Sequence, residues 1–137
     1  YGLVASSKDK WLPSFGVDNT FQTTKQLRVG PWYNAPPTDA QSCCQLETVA
    51  TEFSSQGLEL DCALLAWGSD RLWAGDDWSV EHAGKNRPPL KDPLTVRKNV
   101  YRVLLTRGRD GTVIYVPDDR QMDATFERLR AAGVREL

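Results

Sequence analysis

The chain has 137 residues, 40% of them hydrophobic and 26% charged, with 17 Lys and Arg against 18 Asp and Glu. That length supports one domain with a real core, and the near-zero net charge excludes a global electrostatic footprint for nucleic acid, so any such binding has to be local. There is no initiator Met, signal peptide or apolar run long enough to cross a membrane, and Cys43, Cys44 and Cys62 form an odd set without a C-x-x-C beside the single His82; the expectation is a cytoplasmic protein with reduced thiols and no metal site.

In chain order, Tyr1–Ala5 reads as a short buried strand, and Ser6-Ser7 then cap a predicted helix over about Lys8–Phe15 that Pro13 limits. Val17–Pro37 has no sustained period and contains Gly30-Pro31 and Pro36-Pro37, so it is expected to be irregular, with one strand near Leu27–Val29. Within it Lys25, Arg28, Trp32 and Tyr33 mix cations with stacking surfaces; anchoring of the loop by the two rings is the favoured explanation over single-strand binding. Leu46–Phe53 reads as a strand, Ser54–Leu60 as a turn or short helical stretch, and Cys62–Trp67 as a second buried strand. Arg71–Ala74 and Trp78–His82 flank Gly75-Asp76-Asp77 and are predicted to pair as a hairpin carrying Trp73 and Trp78.

Asp92-Pro93 is a helix start, an N-cap followed by a proline at the first position. A helix is expected from about Pro93 to Arg107, with Val96, Val100, Val103 and Leu104 in one arc, widened by Leu94, Tyr101 and Leu105. Gly108 ends it, Asp110-Gly111 is a turn signal, and the β-branched run Thr112–Val116 reads as a buried strand. A last helix is capped by Asp118 or Asp119, carries Met122, Phe126 and Leu129 on one face, and stops at Gly133. Buried strands alternating with amphipathic helices imply a mostly parallel α/β sheet with helices on both faces. The Ser6-Ser7, Ser54–Asp61 and Gly68 segments, each after a strand, are expected to gather at the strands' carboxyl ends.

Two concentrations of polar groups stand out. Arg107, in the middle of the apolar arc at the end of its helix, and Arg109 beyond it hold guanidinium groups at a turn, and a planar fork of donors matches phosphate oxygens; a last-turn Arg also serves the helix dipole. Thr51–Asp61 contains Gln56 and Glu59 around Gly57, which allows a backbone amide close to a ligand.

With Gln56–Glu59 and Val103-Leu104-Leu105-Thr106-Arg107 on either side of a buried strand, the sequence resembles the second RecA-like domain of superfamily 1 helicases, where a Q-G-L-E turn is motif V and an aliphatic run ending in T-R is motif VI. More narrowly, S-C-C-Q-L-E-x-V-A-T-E-F, S-Q-G-L-E-L-D, W-G and N-V-Y-R-V-L-L-T-R-G-R-D-G resemble the C-terminal part of the Schlafen group 3-like DNA/RNA helicase domain, with Tyr1–Ser7 at the place of motif IV. The resemblance covers nearly the whole chain and implies one RecA-like lobe, a fragment of a longer two-lobed motor. ATP and Mg2+ would then be bound mainly by a first lobe that carries the phosphate loop, since G-x-x-x-x-G-K-[ST] is missing from this sequence. It further implies Arg107 as the arginine finger on the γ-phosphate, Gln56, Gly57 and Glu59 on the nucleotide side, Arg109 as a second cation, and Ser6, Ser7 and Thr51 toward a DNA or RNA strand. Phe53 stands where many superfamily 1 helicases have His, and Ser6 where motif IV often has a basic or amide side chain.

Two other classes compete. One is the same lobe kept as a non-catalytic nucleotide-sensing or nucleic-acid-binding module; the other is a metal-dependent nuclease built on Glu47, Glu52, Glu59 and Asp61, which requires clustered carboxylates, although Glu47 and Glu52 face opposite sides of one strand by their odd spacing.

Overall fold

The fold is built on a four-stranded, wholly parallel sheet. A computed structural model describes residues 1–80 and 91–137. Strands β1 (Gly2–Ala5), β2 (Val49–Thr51), β3 (Leu60–Ala66) and β6 (Gly108–Tyr115) lie in the order β2-β1-β3-β6, and β4 (Leu72–Trp73) pairs with β5 (Trp78–Ser79) as a separate antiparallel hairpin. The expected Trp73–Trp78 hairpin is therefore present, while its far end at His82 lies outside the described residues. Register follows from apolar alternation: Val4 pairs with Leu65 and Leu65 with Ile114, so these three share one face.

Helical segments cover the two faces unequally. Val4, Ala63 and Leu65 pack in one cluster with Trp32, Tyr101, Leu104, Met122 and Leu129. Those partners come from α2 (Val29–Asn34), α3 (Pro93–Leu105) and α4 (Asp123–Ala131) with its preceding residue. Ala5, Val49 and Ala66 on the other face meet Leu12 and Val17, contributed by a single 3-10 turn, Leu12–Phe15, and the residues after it. Among the described residues no helix is long and apolar enough to cross a membrane.

Several sequence expectations are corrected. The Lys8–Phe15 helix shrinks to that one turn, whose N-cap Trp11 makes no side-chain capping bond: Asp9 Oδ1, ahead of it, accepts the amides of Trp11 at 2.8 Å and Leu12 at 2.7 Å, while Ser6 Oγ accepts Lys8 N–H at 3.2 Å and donates to Asp70, and Ser7 Oγ donates to Glu52. No strand forms near Leu27–Val29; α1 (Phe21–Thr24) and α2 flank the stretch, with Val29 opening α2. Gly30-Pro31 does not break α2 because it falls in the first turn, where amides have no intrahelical partner to lose. The Leu46–Phe53 strand is reduced to β2, since Cys43–Gln45 form a 3-10 turn that ends with Leu46 at a φ of 60°. Asp110-Gly111 is not a turn: β6 already pairs Gly108 with Leu60 and absorbs one extra residue as a bulge before Gly111 meets Cys62.

Helix α3 starts as expected, with Asp92 Oδ1 accepting Thr95 N–H at 3.0 Å, but its buried side is displaced from the expected arc. Tyr101 and Leu104 are the buried residues, whereas Val96 is 42% exposed. Arg97, one turn before Tyr101, turns inward because a buried carboxylate, Asp70, waits 3.1 Å away. At the far end, α4 has no side-chain cap; Asp119 Oδ1 instead accepts Gln121 N–H at 2.9 Å in the preceding turn. Gly133, with φ 97°, closes that helix as predicted.

Candidate functional site

Residues 52–59 leave the carboxyl end of β2, cross β1 and start β3 at its amino end. The chain does so in two tight turns, Ser55 N–H to Thr51 C=O at 2.9 Å and Leu58 N–H to Ser55 C=O at 3.1 Å. Gly57, at φ 80°, takes the left-handed conformation that a side chain would resist. The segment thus arrives beside the corner between α3 and β6, where Leu60 N–H donates to Arg107 C=O at 2.8 Å. Ser55–Asp61 therefore does not stay with Ser6-Ser7 and Gly68 at the carboxyl ends, which corrects the expected gathering; it meets Thr106–Asp110 instead.

Arg107 ties the two segments together. Its Nη1 donates to Ser55 C=O at 3.1 Å and Leu58 C=O at 3.0 Å, Nε to Val103 C=O at 2.9 Å, and Nη2 to Thr106 Oγ1 at 3.3 Å. Four of the five N–H groups are engaged, leaving one on Nη2 at a half-buried position. Gln56, Gly57 and Glu59 are exposed, and Glu59 contributes a backbone carbonyl to Tyr33 Oη at 2.8 Å. Arg109 reaches Asp61 Oδ1 at 2.5 Å and Asp110 Oδ1 at 3.3 Å. Those contacts, with Asp110 first, hold the Arg109 guanidinium above its ordinary pKa.

The hydroxyls expected to face a nucleic-acid strand lie at the opposite, carboxyl end of the sheet. Ser6 Oγ donates to Asp70 Oδ2 at 2.6 Å and is fully buried; Ser7 uses N–H at 2.8 Å and Oγ at 2.6 Å on the two oxygens of Glu52. Thr51 is buried, with Ser54 Oγ accepting its N–H at 2.8 Å. Around Ser6 the polar network continues: Tyr101 Oη donates to Asp70 Oδ1 at 2.6 Å and accepts Gly68 N–H at 3.0 Å, and Asp9 Oδ2 accepts Ser69 Oγ at 2.8 Å. A Cβ on Gly68 would stand 2.4 Å from Asp9 Cγ, so only glycine permits this approach. Burial pushes the Asp70 carboxyl above its usual range, against the pull of Ser6, Tyr101 and Arg97, and burial beside Asp70 pushes the Tyr101 phenol well up. Arg97 Nη1 offers Asp70 a charge at 3.1 Å without hydrogen-bond alignment.

No sequence motif brings Asp9, Asp70, Arg97 and Tyr101 together. The one visible signal is an Asp two residues beyond a Trp-Gly that ends a buried strand. In sequence Glu52 reads only as a candidate metal ligand. The structure turns it inward onto Ser7, while Asp61 pairs with Arg109, and among the described residues no three His, Cys, Asp or Glu side chains converge on a metal position. The clustered carboxylates of a nuclease are thus not found there.

Comparison with known families finds a match over residues 1–118 to the family described as Schlafen group 3, DNA/RNA helicase domain. Neither the curated proteins nor the solved structures compared give a match.

Proposed function

The chain belongs to the Schlafen group 3, DNA/RNA helicase domain family, and on that premise we propose that it is the second motor lobe of an ATP-dependent helicase or translocase of the superfamily 1 type. The observation that carries this reading is the Arg107 guanidinium, bonded to the Ser55 and Leu58 carbonyls across 52 and 49 residues of sequence. It makes the Gln56–Glu59 turn, as motif V, and the Thr106-Arg107 corner, as motif VI, one surface. Arg107 is the arginine finger, its remaining Nη2 donor directed to a γ-phosphate; Gln56, Gly57 and Glu59 flank the nucleotide and Arg109 adds a second cation. Ser6, Ser7 and Thr51 belong to the nucleic-acid side. ATP and Mg2+ supply the phosphoryl group and its charge neutralisation when held by a first lobe.

A positively charged donor of this kind stabilises charge that develops in the transition state and contributes little to ground-state binding. By itself the chain hydrolyses no ATP. In a protein that joins it to a phosphate-loop lobe, Arg107→Ala lowers turnover about a thousandfold or more, about 4 kcal/mol, with a much smaller change in nucleotide affinity. Arg107→Lys does not restore it, because an ammonium lacks the fork that holds two carbonyls and reaches further. Turnover and nucleotide affinity of the three proteins are the measurement. The engagement of four N–H groups by protein acceptors favours a second reading, a non-catalytic nucleotide-sensing or nucleic-acid-binding module; nucleotide binding without turnover in the wild-type joined protein would decide for it, and near-normal hydrolysis by Arg107→Ala would make that guanidinium structural.

A further inference from the structure

The outer edge of β2 pairs with no other strand among the described residues. Instead α1, the segment leading into α2 and residues 40–41 close over it and leave a cavity of about 290 Å³. Trp32 forms part of the wall. Its ring is held in place, since a Cβ on Gly2 would stand 3.0 Å from Cζ2 and Cη2, and it is 1% exposed, yet Nε1 has no hydrogen-bond partner among the described residues. The other deeply buried indole, that of Trp67, donates to Arg71 C=O at 2.8 Å. A buried donor without an acceptor is uncommon enough in a folded protein to point to a missing partner. The rest of the wall is rich in donors. Arg28 is exposed and enters no ion pair or cation–π contact among the described residues. Gln41 and Thr48 add an amide and a hydroxyl, and no carboxylate among the described residues lines the cavity.

A guanidinium without an ion-pair partner, beside neutral donors and with no competing carboxylate, selects a ligand that carries acceptors and negative charge. Leu27, Val49 and the Trp32 ring offer apolar surface to the rest of such a molecule. A cavity of about 290 Å³ stands at the small end of the ligand pockets of proteins, about 300–1,000 Å³, so the molecule is small. We propose that this cavity binds a small organic oxyanion, a carboxylate or phosphomonoester with an apolar body, its charge on Arg28 and an acceptor on the Trp32 N–H. The site shares no residue with the Arg107 corner and does not depend on the motor reading.

The test uses the full chain, labelled with nitrogen-15, and three probes of similar size: benzoate, phenyl phosphate and the uncharged benzyl alcohol. The indole N–H signals are followed by heteronuclear NMR during titration, that of Trp32 being identified by its through-space contact with Gly2. Benzoate and phenyl phosphate move the Trp32 signal saturably and leave the other indoles in place, and the tighter of the two tells whether the cavity is made for a carboxylate or a phosphate. Benzyl alcohol binds at least about tenfold more weakly, the size of one hydrogen bond to a charged group. Arg28→Ala, a change at an exposed position that leaves the fold intact, weakens both oxyanions by the same factor of about ten and leaves benzyl alcohol unaffected. A Trp32 signal that stays put with both oxyanions, equal affinity for benzyl alcohol, or unchanged affinity in Arg28→Ala overturns the proposal, and each of these outcomes leaves the motor reading standing.

Discussion

The two ends of the sheet use similar groups for opposite purposes. At the carboxyl end Ser6 and Tyr101 donate to the buried Asp70, Asp9 accepts from Ser69, and Arg97 faces Asp70 as a charge at 3.1 Å. At the amino end of β3 and β6 Arg107 also spends its donors on protein oxygens, but these are backbone carbonyls of a turn at half-buried depth, and one donor is left over. A closed network of buried charges is a structural commitment: removing one member strands another away from water. An arginine on carbonyls near the surface exchanges partners at small cost, because water or a phosphate oxygen replaces what it gives up.

The largest effect that separates the two ends is on stability. Asp70→Ala leaves the Arg97 charge and the Ser6 and Tyr101 hydroxyls without their acceptor and should destabilise the fold by about 3–5 kcal/mol. Arg107→Ala, for all its expected effect on turnover, should cost only about 1–2 kcal/mol. Urea unfolding of both variants measures this, and equal losses would mean that the Arg107 corner is as much a part of the core as Asp70.

A smaller effect tests whether the turn under Arg107 is shaped by its glycine. Gly57 holds φ 80° with open space where a Cβ would be, so Gly57→Ala should lose about 1–2 kcal/mol from backbone conformation alone. Gly57→Asn should lose less, since Asn tolerates that conformation. Thermal unfolding of the two variants ranks them, and an unchanged Gly57→Ala would show that the turn has another way to fold.

The smallest expected effect is in pH dependence, and the two kinds of carboxylate give it opposite signs. Asp70 has its folded pKa raised by burial, so its contribution is fully present below the unfolded value near 3.9 and is lost as pH rises through the folded one. Wild type should therefore lose ground to Asp70→Asn as pH climbs out of the acid range. Asp92, lowered by its hydrogen bonds from Thr95 at the start of α3, does the reverse: its stabilisation is present above the unfolded value and fades as pH falls through the folded one. Stability curves from acid to neutral pH for wild type, Asp70→Asn and Asp92→Ala should cross in that sense; parallel curves would remove Asp70 from the account.

What was legible beforehand follows the range of the interactions. The start of α3 could be read because Asp92, Pro93 and Thr95 are within one turn of each other, and β3 because its apolar run needs no partner to be recognised; the end of β6 could be read as a strand but not as a buried one, since it lies at the sheet edge with Tyr115 43% exposed. Arg97 could not: on a helical wheel it looks like a solvated cation, and its reason for turning inward, Asp70, is 27 residues away. Ser6 and Ser7 looked like caps for the same reason, their acceptors being 64 and 45 residues distant. The pairing of Ser55–Asp61 with Arg107 was legible only through family resemblance, since no local pattern links residues about 50 apart.

The link between β2 and β3 has almost no spare length. It passes over β1 with residues 52–59 alone, where parallel crossovers usually take a dozen or more. Register puts Thr51 level with Ala5 and Ala66, so the link must descend the six residues of β3 below Ala66, about 20 Å. Eight residues offer at most about 30 Å of contour, and two tight turns consume part of it. The segment is a taut strap, gripped at one end by Ser7 on Glu52 and toward the other by Arg107 on Ser55 and Leu58. An inserted residue would add slack between the two grips and a deleted one would leave the link short of its span, so this connection should tolerate a change of length less well than a surface loop does.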